Sequence, residues 1–211
     1  MSFAQSLPDR ARTTLESFGL DALLTGAARL RADRVGLTWS GEGVAPGAMP
    51  YAEWDRAASA VAGALAACGF APGERALLVG AADPATVTLL FGAARAGLDV
   101  ALCPAGEPPA RIAERAQTVA AVALLAPGRI GPASVVAEVA QAAALCDQVR
   151  LAAVWGEAPA QDGVLPLHEV EPIPLIPRHA QATIFTFSEG EAPQRHRQER
   201  LAAAAFDLIH R

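Results

Sequence analysis

The chain has 211 residues, long enough for one substantial α/β domain and too short for two large ones. Its apolar share is 52% and its charged share only 18%, below the usual level of about a quarter, so a buried core can form and wholesale disorder is excluded. The net charge of -5, with the arginines scattered, gives no footprint for nucleic acid, and the complete absence of lysine rules out a Schiff base, a lysine general base and a phosphate-loop lysine.

The N-terminal stretch reads as helical, and Asp9, Arg10, Glu16 and Asp21 break it up too often for a signal-peptide core or a membrane span. RVGLTW (Arg34 to Trp39) reads as a short strand, and SGEGVAPGAMP after it as an exposed turn, a tight loop joining two strands. From Tyr51 to Phe70, apolar residues at Trp54, Ala58, Val61 and Leu65 predict a helix with one buried face, closed by Gly69 and Pro72. RALLVG (Arg75 to Gly80) is a continuous apolar run, as expected of a strand covered on both faces. Asp83 before Pro84 supplies an N-cap and a first-turn proline for a helix running to Gly97.

The alternation then continues. Leu98 to Pro104 is a strand, Pro108 to Ala120 a helix, Ala121 to Pro127 a strand, Ser134 to Leu145 a helix and Val149 to Trp155 a strand. Strands and helices alternating at these lengths imply right-handed crossovers and a parallel sheet between helices, so the fold class is α/β. Gly156 to Arg178, with Pro172, Pro174 and Pro177, cannot hold a helix and reads as a connector. Ala182 to Phe187 is β-rich and SEGEAP a loop. A final helix starts at about Pro193, with Leu201, Ala205, Phe206 and Ile209 on its apolar face. No capping glycine follows before Arg211.

Cys68, Cys103 and Cys146 are odd in number and each sits among apolar neighbours, which fits buried reduced thiols and a cytoplasmic protein. Val79-Gly80 carries one glycine where a dinucleotide turn needs three, and Asp83 is better read as a cap. Ser188 and Glu191 match a capping box in letters, but Pro193 would fall inside that helix, so the box is rejected. His168, His179, His196 and His210 lack metal-ligand spacing and read as solvated or locally hydrogen-bonded, the run from Arg195 to Arg200 reads as the wet face of the last helix, and Trp54 and Phe91 read as core.

Several segments resemble the adenylate-forming (AMP-binding) enzyme superfamily of the acyl-CoA synthetase kind. Met49 to Trp54 is similar to its "[L][TS]-Y-x-E-L" segment, Gly69 to Pro104 to its block from "G-v-x-x-G-D-r-V" through "a-G-x-x-x-v-P", and Asp21 to Trp39 to its entry segment. The resemblance covers the whole chain in the right order, and adenylation domains of peptide synthetases share it. It implies a three-layer, mostly parallel sheet flanked by helices, as in the N-terminal subdomain of an ATP-dependent carboxylic acid–CoA ligase. The implied activity couples a small carboxylic acid to ATP and Mg²⁺ as an acyl adenylate and then to CoA, with fatty acid metabolism as a setting. The implied division is an N-terminal subdomain with its proline-rich connector at 1–178 and the start of a second subdomain at 179–211.

The family's "T-S-G-T-T-G-x-P-K-G" phosphate loop corresponds to Thr186 to Arg195, which puts Thr186, Ser188, Gly190, Gln194 and Arg195 forward as a degenerate nucleotide-binding loop. Such a loop works through close backbone N–H groups, hydroxyl donors and a lysine charge. Here Glu189 and Glu191 stand where anions should go and Gln194 takes the lysine's place. A full charge about 4 Å from a phosphate oxygen costs on the order of 4 kcal/mol at an effective dielectric of about 20. Arg195, Arg197 and Arg200 could compensate only from the following helix. The expectation is therefore an N-terminal fragment, inactive alone, whose partner is the missing C-terminal part or a second copy in a homodimer. The alternatives are a non-catalytic binding or scaffold module descended from the family and an unrelated doubly wound domain binding its ligand at the carboxyl ends of the strands. No nucleic acid, membrane or metal site is expected.

Overall fold

The computed structural model describes residues 19–41, 44–174, 182–188 and 192–198. It opens with helix α1 (Leu20–Leu30) and an antiparallel pair, β1 (Val35–Gly41) and β2 (Val44–Pro50). Most of the stretch expected to be a turn is thus strand. Trp39 pairs with Gly47, and a Cβ on that glycine would fall 2.2 Å from the indole, so the glycine that reads as a turn residue makes room for a cross-strand ring.

Next come α2 (Tyr51–Ala67), β3 (Arg75–Gly80), α3 (Pro84–Arg95), β4 (Asp99–Pro104), α4 (Pro109–Thr118) and β5 (Ala123–Pro127). These match the sequence expectation to within a few residues. Gly69 follows α2 at φ +79, the left-handed conformation that a helix end needs and a side chain resists. A two-residue hairpin absent from the expectation, β6 (Arg129–Ile130) and β7 (Ala133–Ser134), precedes α5 (Val136–Ala144) and β8 (Leu151–Trp155).

The proline-rich connector holds more structure than expected. It carries a short strand, β9 (Leu165–Pro166), and a single 3₁₀ turn (Leu167–Glu169) whose Leu167 is buried. Then β10 (Thr183–Thr186) is followed by β11 (Gln194–Arg197), which is a strand where a helix was expected. Pairing with β10 explains the difference: backbone groups of Gln194 to Arg197 are taken into an antiparallel ladder, and Pro193, which has no N–H, sits just outside it. The apolar face expected at Leu201, Ala205, Phe206 and Ile209 lies outside the described residues.

The sheet has seven strands in the order β11-β10-β4-β3-β5-β8-β9, parallel except for the β10–β11 pair. Successive side chains of a strand point to opposite faces, so one run of apolar residues feeds two cores. Leu77 and Val79 of β3 pack with Ile112 and Ala116 of α4 and Val139 of α5. Ala76 and Leu78 pack with Val61 and Leu65 of α2 and Leu89 of α3. The result is a three-layer α/β arrangement.

Asp83 does what its position promised. Its carboxylate accepts from the backbone N–H of Ala85 at 2.9 Å and of Thr86 at 3.0 Å, which stabilises the start of α3 by about 1 kcal/mol. Trp54 and Phe91 are core, their rings 4.8 Å apart and tilted by 60°. The segment expected to open a second subdomain joins the same sheet through β10, where the Thr183 N–H donates to the Asp99 carboxylate at 2.6 Å.

Candidate functional site

All the parallel strands end at one rim, where α/β sheets hold their ligands. Because β10 runs parallel to β4, its carboxyl end delivers Thr186, Phe187 and Ser188 to this rim, beside the loop from Ala105 to Pro108 that follows β4. The β10–β11 hairpin is the segment that resembles the phosphate loop.

The ladder opposes Thr186 to Gln194, Phe185 to Arg195, Ile184 to His196 and Thr183 to Arg197. Pleating then places Thr186, Gln194 and His196 on one face and Arg195 on the other. The hydrogen bonds agree. The Thr186 hydroxyl and His196 Nε2 lie 2.8 Å apart, diagonal neighbours on the first face, and the Gln194 amide donates to Ser188 Oγ at 3.4 Å. Arg195 Nη2 donates to Thr183 Oγ1 at 3.3 Å, toward the start of β10.

Of the five candidate residues, Thr186, Ser188 and Gln194 are brought together. Arg195 is turned away, and Gly190 lies outside the described residues. Arg195 and Arg197 stand on a strand, not on the helix expected for them. His196 reads in the sequence as solvated or locally hydrogen-bonded, but Thr186 could not be named as its partner there, because that pairing needs the hairpin register, which no helical spacing encodes.

The neighbouring side chains are also tertiary in origin. Arg115 on α4 carries its guanidinium carbon 4.6 Å above the Phe187 ring and donates through Nε to Glu107 at 2.7 Å. A second bond, from Nη2 to Glu107 Oε1 at 2.5 Å, makes the pair a fork. Glu107, Pro108, Ser134 and Glu138 line a cavity of about 510 Å³ at this rim. Arg115 is thus committed to a carboxylate and to a ring, which leaves it poorly placed to replace a phosphate-loop lysine.

Cys103, at the end of β4, is 2% exposed, with Sγ 3.7 Å from Glu107 Oε2. Burial first, and the Glu107 carboxylate second, push its thiol from 9.0 up to about 12. The folded state therefore keeps the proton that the unfolded chain gives up, so the thiol's contribution is intact below pH 9 and is lost as pH rises from about 9 to about 12. Two results are expected. A thiol reagent at pH 8 leaves Cys103 unmodified until the protein unfolds, and urea titrations show stability falling above pH 9 by up to about 1.4 kcal/mol per pH unit, a fall that Cys103→Ser flattens.

Among the described residues no helix is long and apolar enough to cross a membrane, and no group of three or more His, Cys, Asp and Glu could hold a metal ion.

The family described as AMP-binding enzyme matches residues 24–195. A curated relative, the salicyl-AMP ligase / salicyl-S-ArCP synthetase of Mycobacterium tuberculosis, is 34% identical over 106 residues, which cover 50% of this chain and 19% of that protein. The solved acetoacetyl-CoA synthetase from Streptomyces lividans superposes with a TM-score of 0.75 at 21% identity, over 91% of this chain and 32% of that one, a likeness of fold. The apo structure of MbtA from Mycobacterium smegmatis gives a TM-score of 0.69 at 25% identity, over 96% of this chain and 38% of that one. The chain therefore spans about a third of the length of these structures, and its matched half about a fifth of the curated relative.

Proposed function

The chain belongs to the AMP-binding enzyme family, and from that premise we propose that it forms the N-terminal portion of an ATP-dependent acyl-CoA synthetase-like ligase and does not form an acyl adenylate by itself. In this reading residues 1–178 make up the body of the α/β subdomain, whose sheet the β10–β11 hairpin extends. The protein is cytoplasmic. A carboxylic acid, ATP with Mg²⁺, and CoA are the reactants of the whole enzyme.

The observation that carries the reading is Gln194. Where the resemblance calls for a lysine, the hairpin offers an uncharged amide already directed at Ser188, while Arg195 faces the other way. Thr186, Ser188 and Gln194 would face the triphosphate as neutral donors. Such donors position a phosphate, but each is worth roughly half of a charge-assisted bond, and none offsets charge that builds up during transfer. A portion that lacks the other side of the site also cannot align acid with nucleotide.

The alternative is a non-catalytic binding or scaffold module with the same fold. Calorimetric titration with ATP and Mg²⁺ separates the two. Heat of binding at micromolar to millimolar nucleotide, reduced in a Thr186→Val, Ser188→Ala double variant, supports the ligase portion. No heat over that range would favour the module.

A further inference from the structure

On the other face of the sheet, the same rim holds a second cavity of about 490 Å³, between the β1–β2 hairpin, the start of α3 and the end of β8. Trp39, Met49, Pro84 and Trp155 form its apolar walls, and Asp83 and Arg129 are its charged groups. We propose that this cavity is a binding site for a flat, apolar anion such as an aromatic carboxylate, with the rings against the tryptophans and the anionic group on Arg129.

The volume falls within the range of small-molecule sites, about 300–1,000 Å³. The sign of the ligand's charge follows from what each polar group has already spent. The Asp83 carboxylate accepts two backbone N–H groups and the Thr86 hydroxyl, the last at 2.6 Å, and lies at the positive end of α3, so its charge is largely answered. The Thr88 hydroxyl donates to the Pro84 carbonyl at 2.7 Å. Arg129 has one neutral partner, the Pro132 carbonyl at 3.1 Å from Nη1, and no ion pair among the described residues. A guanidinium in that state presents a planar fork that suits a carboxylate, and flat indoles suit an aromatic ring.

The site is also held in shape. The Trp39 indole lies over Gly47 with no room for a Cβ between them. Gly128, next to Arg129, donates to the Trp155 carbonyl at 2.9 Å, and a Cβ on it would fall 2.3 Å from the Glu157 carbonyl oxygen. The loop bearing Arg129 is therefore pressed against the exit of β8, which lowers the ordering cost of binding.

This inference goes beyond the ligase reading. Strands β4, β3 and β5 separate β10 from β8, which at a strand spacing of about 4.8 Å puts Trp155 roughly 19 Å from the phosphate-loop hairpin. The two sites can be lost independently.

The test is a titration of the full chain with 2-naphthoate, without nucleotide, read from the indole N–H signals of its three tryptophans in NMR. The expected result is saturable shifts of Trp39 and Trp155 with Trp54 unmoved. Neutral 2-naphthylmethanol should bind at least about tenfold more weakly, and Arg129→Gln should weaken 2-naphthoate by a similar factor. The comparison of the two probes on the unsubstituted chain needs no variant to fold. Equal affinity for acid and alcohol, absence of a saturable shift, movement of Trp54 alone, or a cavity covered by a second copy of the chain would each overturn the proposal.

Discussion

Replacing Arg95 with alanine is expected to lower the stability of the fold by about 3 kcal/mol at neutral pH. The side chain is 10% exposed and joins the end of α3 to α1 and α2. Its Nε donates to Asp21 at 2.5 Å, Nη2 to Asp55 at 2.7 Å and to Thr25 at 3.0 Å, and Nη1 to the Asp55 carbonyl at 2.9 Å and to Ser59 at 2.5 Å. A guanidinium has five N–H donors, and each finds an acceptor. Removing it strands two carboxylates. Because Asp21 and Asp55 keep 30% and 26% exposure, solvent softens the loss toward the lower end of the 3–5 kcal/mol or so expected of a fully buried pair.

The pH dependence of that loss is part of the prediction. Burial, with the Asp55 carboxylate adding to it, holds the Asp21 carboxyl above its usual value of 3.8 although Arg95 pulls it down. Without Arg95 it rises further, so the folded variant takes up a proton before the unfolded chain does. The penalty is therefore complete at neutral pH and shrinks as pH falls through the raised value toward 3.8. Urea denaturation of both proteins at pH 7 and pH 4 should show the gap narrowing. Lysine should not rescue the loss, since a point charge cannot make the five directed bonds. A gap under 1 kcal/mol at pH 7, or one unchanged at pH 4, would contradict this account.

A comparable effect is expected where α3 crosses α2. Gly92 lies so close to α2 that a Cβ would meet Val61 Cγ1 at 2.4 Å, Val61 Cβ at 2.5 Å and the Ala58 carbonyl oxygen at 3.0 Å. Val61 is fully buried, and neither its Cβ nor a helix carbonyl is the free end of a flexible side chain. Gly92→Val should cost about 3 kcal/mol by forcing the helices apart. Gly92→Ala should cost less, because alanine regains up to about 1 kcal/mol of helix propensity. Val61→Ala alone should cost roughly 1–2 kcal/mol and, in the Gly92→Ala background, less, since it removes the Cγ1 contact at 2.4 Å although the Cβ contact at 2.5 Å remains. Additive losses in that cycle, measured as shifts in urea midpoint, would show that the glycine is not there for close packing.

The parallel part of the fold was legible because each signal was local. RALLVG became β3 with its ends unchanged, since a short apolar run bounded by turns has few other uses in an alternating sequence. Asp83 with Pro84 marked the start of α3 for the same reason. The misreadings share a different cause. Gly47 and Pro46 read as turn residues, but the strand that contains them is justified by a tryptophan on the neighbouring strand. Gln194 to Arg197 has no strand signature of its own and is drawn into the sheet by β10.

The candidate site was half legible for the same physical reason. A resemblance in letters brought Thr186, Ser188 and Gln194 forward, and the hairpin does gather them. It could not separate Arg195 from them, because the alternation of a strand, not the turn of a helix, decides which way that side chain points. Nor could it find His196 beside Thr186, or Arg115 over Phe187, since register and tertiary packing alone create those contacts.

The most direct test of the functional account is carboxylic-acid-dependent exchange of pyrophosphate into ATP, measured with this chain, Mg²⁺ and a panel of aliphatic and aromatic acids. The account predicts no exchange above the no-acid background, because the hairpin meets the phosphates with a glutamine in place of a cation. Acid-dependent exchange catalysed by these 211 residues alone would contradict it.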